Sequence, residues 1–284
     1  MPGVIDPLYA AARTALLDAL EALGDQRSAV VLVGAQAVYL HTGDGAVAVA
    51  PYTTDGDLAV DPSELRAGPR LDEAMRAAHF RAGNQPGSWI IERQVQGRPV
   101  TIPVDLLVPE AVAGPGRRSA RLDGHGRRTA RRTRGLEATL VDHVVMIVGA
   151  LEASDGRFFE IRVAGPAALL VAKLHKIADR ALEPHRSRLD DKDALDLFRI
   201  LQAIPTDVLA ATLERLLETP IASDVTARAV GMLREFFATP RSPGCLMVVR
   251  ATEGLEDAET IARSCSILAN ALLTALKGRP TKQG

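Results

Sequence analysis

The sequence predicts an α+β fold, a mixed sheet flanked by helices and followed by a mainly helical C-terminal part. Three observations lead there. Short β-branched apolar runs alternate with helical periodicity through the first half of the chain, and Gly34 punctuates the first strand-to-helix junction. From Pro166 onward, amphipathic helical spacing dominates. At 284 residues and 47% hydrophobic content, the chain has material for one large domain or two ordinary ones.

In order, Leu8, Ala12, Leu16, Leu20 and Leu23 fall at helical spacing, and Gly24 supplies a stop. Ala29 to Val33 is a short apolar run ending at Gly34, hence a buried strand, with Ala35 to His41 opening the next helix. A loop from Thr42 to Tyr52 feeds a strand from Asp55 to Val60, stopped by Asp61-Pro62. A helix over Leu65 to Ala78 precedes strands at Ser88 to Gln94 and Pro99 to Val108. From Gly114 to Gly135 the composition shifts to arginine, glycine, serine and threonine, which reads as an exposed loop and sets a domain boundary near 135. The domains are then 1–135 and 136–284. Leu140 to Leu151 reads as an apolar helix, Phe158 to Val163 as a strand, and Cys245 to Arg250 as a strand within an otherwise helical remainder.

Composition removes several function classes. A formal net charge of −1 and a pI near 6.6 give no whole-molecule attraction to nucleic acid or membrane, so such attraction must be local. Cys245 and Cys265 have no paired spacing and no histidine cluster beside them, which argues against a zinc site or a disulfide framework. The N-terminus lacks a charged start followed by an apolar run, and no stretch approaches the roughly 18 apolar residues of a membrane span. The expectation is a cytoplasmic protein without a membrane partner.

The chemistry is concentrated at Gly34-Ala35 and at Asp55-Gly56-Asp57. Carboxylates at i and i+2 of a strand share one face, and that arrangement is costly without a cation between them. A hard ion such as Mg2+ binds one or two carboxylates together with nucleotide phosphates, while backbone N–H groups at a glycine turn cradle phosphate. Asp105 is the one charge in an apolar strand and is expected to join Asp55 and Asp57 as a third metal ligand. The alternative is that Asp55 and Asp57 are turn residues around Gly56 and Asp105 a strand-end charge.

This order, a strand, a glycine turn, a helix, Asp-x-Asp and a later carboxylate, resembles the DNA-polymerase-β-like nucleotidyltransferase superfamily. Gly34-Ala35 stands where that pattern has Gly-Gly or Gly-Ser. A second set narrows the resemblance. Lys173-Leu174-His175-Lys176, followed by Lys192-Asp193-Ala194-Leu195-Asp196-Leu197, is similar to the AbiEii family of nucleotidyltransferase toxins, which includes the mycobacterial MenT group. The resemblance spans roughly residues 28 to 200. It implies transfer of a nucleoside monophosphate from an NTP to an acceptor hydroxyl, using Mg2+, two ions being expected, at Asp55, Asp57 and Asp105. It further implies the 3′ end of tRNA as acceptor and a toxin with a cognate antitoxin.

By the same resemblance Lys173 contacts the triphosphate, Asp193 lies in the active site with Asp57, and Asp196 supports them. Lys173, Lys176 and Arg180 fall on one helix face, a cationic edge suited to phosphate, although a solvated face pairing with nearby aspartates has the same spacing. Eight arginines between Arg117 and Arg134, with no aromatic residue among them, fit tracking of an RNA backbone or a plain solvated loop. His175 is expected to be structural. Small-molecule or protein nucleotidyl transfer, and a catalytically silent RNA- or partner-binding module, are the rival functions.

Overall fold

The computed structural model describes residues 5–43, 52–181 and 191–278. Met1 to Val4, most of the loop between Thr42 and Tyr52, the Arg188 to Asp190 stretch before the second motif and the polar C-terminal tail lie outside the described residues. The α+β class holds: nine α-helices and an eight-stranded mixed sheet are present among the described residues. The chain divides into two units. The described residues of the first fall within 5–37 and 52–164, and those of the second within 38–43, 165–181 and 191–278.

The first unit opens with α1 (Pro7–Leu23), which Asp6 caps by accepting from the Leu8 and Tyr9 amides at 2.8 and 3.2 Å. Its Ala12, Leu16, Leu20 and Leu23 are fully buried, as their spacing predicts, and the helix packs on the sheet and on α3. β1 (Val30–Val33) follows, then α2 (Gly34–Thr42), of which residues 34–37 belong to this unit, β2 (Gly56–Val60), α3 (Leu71–Ala77), β3 (Arg81–Ala82), β4 (Ser88–Val95), β5 (Arg98–Pro109), β6 (Arg131–Thr133), β7 (His143–Gly149) and β8 (Phe158–Ala164). The sheet runs β3-β4-β5-β2-β1-β8-β7, with β6 added beside β5. β2 is antiparallel to β1 and parallel to β5, so it is walled on both sides, and Leu58, Ala59 and Val60 are fully buried.

Two expectations change here. The run from Leu140 to Leu151 is not a helix: a short 3-10 turn ends at Leu140, and Val144-Val145-Met146-Ile147-Val148 forms β7 against β8. Periodicity does not separate strand from helix in so short an apolar run, and the β-branched residues decide for strand. The first unit consequently extends to Ala164, past the compositional break at 135, because β7 and β8 complete its sheet.

The second unit contains α4 (Pro166–Ala181), α5 (Lys192–Ala203), α6 (Thr206–Glu218), α7 (Pro220–Phe237), α8 (Pro243–Ala251) and α9 (Ala258–Gly278). The strand expected over Cys245 to Arg250 is the body of α8. Pro243 occupies the first helical turn, where its missing N–H costs nothing, and Gly244, Cys245, Met247 and Val248 form a helical stripe in the core. No helix among the described residues is long and apolar enough to cross a membrane. His175, expected to be structural, is buried, with Nε2 2.9 Å from the Val225 carbonyl.

Candidate functional site

In the first unit the fold brings Gly34, Asp57 and Asp105 together. Val33 is paired with Asp57 across β1 and β2, and Asp57 is in register with Asp105 on parallel β5. Side chains paired across a ladder emerge on one face, so the two half-buried carboxylates stand side by side. Gly34 turns the chain from β1 into α2 at φ +73°, directly over Asp57. A Cβ there would lie 2.1 Å from Asp57 Oδ2 and 2.9 Å from its Cγ. The glycine is required twice, for the left-handed backbone and for the aspartate beneath it. Ala35 follows in the buried first turn of α2.

Gly34→Ala is therefore expected to lose roughly 1–3 kcal/mol from the backbone conformation alone and to push Asp57 out of place. Urea denaturation measures it; a midpoint equal to wild type would mean the turn is not built as described.

Asp55 lies one residue before β2, and its Oδ1 accepts from the Thr53 hydroxyl. Its backbone is held by a residue that sequence reasoning missed. Gln36 donates to the Asp55 carbonyl at 2.8 Å and accepts from Arg13 Nε at 2.6 Å. Arg13 is itself buried, also reaching the Gly149 carbonyl at 3.0 Å and the Tyr9 hydroxyl at 3.2 Å, and burial lowers its pKa. The available signal was an arginine at an apolar position of α1.

Asp105, expected as a third metal ligand, has a cationic partner of its own. Arg131, from the arginine-rich segment, donates to its Oδ2 at 2.6 Å and supplies the compensating charge assigned in the sequence to a metal. Among the described residues, no group of three or more His, Cys, Asp or Glu is placed to hold a metal ion. Asp55 and Asp57 are oxygen donors of the kind Mg2+ takes alongside phosphate.

In the second unit, Lys173, Lys176, Arg180, Asp193 and Asp196 also come together, between α4 and α5. Lys173 Nζ donates to Asp193 Oδ1 at 2.7 Å and to Asp196 Oδ2 at 2.6 Å, and all three side chains are buried. Arg180 binds the other Asp193 oxygen, and Lys176 approaches Asp193 at 3.5 Å. The cationic edge is therefore not a row of open charges. It converges on Asp193, because an ammonium as buried as Lys173 needs carboxylates.

Burial opposes both charges, yet Asp193 and Asp196 hold Lys173 above the ordinary lysine range, and Lys173, Lys176 and Arg180 hold Asp193 below the ordinary carboxylate range. The solvent-facing parts belong to Lys176 and Arg180. Asp191, just before α5, forms a bidentate pair with Arg250 of α8 at 2.7 and 2.8 Å.

Neither a protein-family model nor a curated protein matches this chain.

Proposed function

We propose that the chain is a metal-dependent nucleotidyltransferase of the AbiEii type, moving a nucleoside monophosphate from an NTP to an acceptor hydroxyl. In this proposal the acceptor is the 3′ end of tRNA, and the protein is the toxin of a toxin–antitoxin pair. The observation that carries the reading is the seating of Gly34 on Asp57, at a strand-to-helix turn, with Asp105 in register beside it.

In the reaction the acceptor hydroxyl gives up its proton to solvent, its oxygen forms a bond to the α-phosphorus, and the bond to pyrophosphate, the leaving group, breaks. The N–H groups of the turn at Gly34 and Ala35 would receive phosphate oxygens. Asp55 and Asp57 would hold Mg2+, which when bound neutralises phosphate charge and sharpens the attacking hydroxyl. Asp105 would join them through Oδ1, with Arg131 kept on Oδ2. In the second unit, the half-exposed Lys176 ammonium suits phosphate, while Lys173 and Asp196 fix Asp193. Positioning and charge stabilisation suffice for this chemistry, so no covalent enzyme intermediate is invoked.

The Asp105–Arg131 ion pair also favours a second reading, a silent module that binds without transferring. Incubation with each labelled NTP, Mg2+ and total RNA separates the two. The transfer reading expects label in the tRNA fraction for at least one NTP. Label in protein or small hydroxyl compounds would move the acceptor. No label in any fraction, from protein that NTP still protects against thermal unfolding, would leave the silent module.

A further inference from the structure

The eight arginines between Arg117 and Arg134 do not act as one group. Arg131, Arg132 and Arg134 are used internally, on Asp105 and Glu110. The other five, Arg117, Arg118, Arg121, Arg127 and Arg128, are exposed and line a single cavity of about 780 Å³ within the first unit. Asp123 is the one carboxylate in that lining. Arg121 approaches it only at 3.9 Å, and Arg128 donates to the uncharged Asn84 carbonyl at 2.8 Å. The side chains of Arg117, Arg118 and Arg127 make no hydrogen bond or ion pair among the described residues.

The basin has a built frame. The Arg121 amide donates to the Ala113 carbonyl at 2.9 Å, Ala120 to Ala130 at 3.0 Å, and Arg132 to Arg118 at 2.9 Å. Beneath the arginines, Ala120, Leu122, Thr129 and Ala130 are buried, and Trp89 Nε1 donates to the Thr129 carbonyl at 3.0 Å. Five guanidinium groups held around one hollow repel each other, and an anion of matching extent removes that cost. Guanidinium forks suit phosphate oxygens, and the volume exceeds what a single phosphate fills. No Phe, Tyr or Trp lines the basin, and its one aromatic ring, His125, is half-buried with Nδ1 accepting from the Leu71 amide at 3.1 Å, so the lining offers mainly charge.

We propose that this basin binds a chain of phosphates, the backbone of RNA or inorganic polyphosphate, by charge and without reading bases. The proposal does not rest on nucleotidyl transfer. It is tested on the full chain, without NTP or divalent cation, by anisotropy of a labelled uridine oligonucleotide across a salt series. Replacing Arg117, Arg118 and Arg127 together by Gln should weaken binding roughly tenfold or more and flatten the log–log salt dependence by about 2, the sum for three lost phosphate contacts.

The same three positions replaced by Lys should keep most of that slope, and inorganic polyphosphate should displace the RNA. Polyphosphate binding alone, without RNA, would name polyphosphate as the source. Wild-type affinity and slope in a folded Gln variant would overturn the proposal. So would displacement by polyglutamate as effective as that by polyphosphate, since the basin would then answer to any polyanion. Asp57→Asn should bind RNA like wild type, so loss of transfer and loss of RNA binding report on different sites.

Discussion

Asp57→Asn should lower nucleotidyl transfer by about a hundred- to a thousandfold while leaving the thermal midpoint close to wild type. The substitution keeps the shape that fits under Gly34, removes the charge and turns one acceptor oxygen into an NH2 donor. If Asp57 holds Mg2+ against phosphate, an uncharged amide there loses the strongest of its ligands, and the effect falls on turnover. The assay is transfer of label from the preferred NTP, with denaturation run beside it. Wild-type turnover in a folded Asp57→Asn protein would remove the metal assignment and the proposed activity with it. A collapse of stability would show instead that Asp57 serves mainly the sheet.

The second large effect is on stability. Lys173→Met should cost about 3–5 kcal/mol, because it leaves Asp196 buried without its cation and takes one of three from Asp193. Removing both charges, in Lys173→Met with Asp196→Leu, should recover much of that loss, since an apolar pair of similar volume has no unpaired charge to bury. Urea denaturation of the two variants measures it, and a Lys173→Met protein as stable as wild type would contradict the buried pairing.

The pH dependence has a definite sign. Asp193 has a depressed pKa in the fold, so its contribution is fully present above the ordinary carboxylate value, near 4, and is lost as pH falls through the folded value. Lys173 has a raised pKa, so its contribution is present below the ordinary lysine value and is lost only in strong alkali. The loss accessible to measurement is on the acid side.

What could be read from the sequence follows the reach of its signals. α1, β1, Gly34 and β2 were legible because periodicity, β-branching and one glycine act over a few residues. β7 and α8 were exchanged, strand for helix and helix for strand, because each is a short apolar run whose state is fixed by what it packs against. Lys173 carried a sign of its burial: it sits four residues after Leu169 and four before Ile177, on the apolar stripe of α4. The partners of Asp105 and Asp55 were not legible. Arg131 is indistinguishable in composition from its arginine neighbours, and the Arg13–Gln36 contact joins residues 23 apart.

The fit between positions 34 and 57 also restricts how this fold can diversify. A methyl group at 34 has no room unless the side chain at 57 is shortened, and shortening it surrenders the carboxylate. Relatives that keep this sheet should therefore vary at the two sites in concert, and a chain that has lost glycine at the first should have lost its acid at the second.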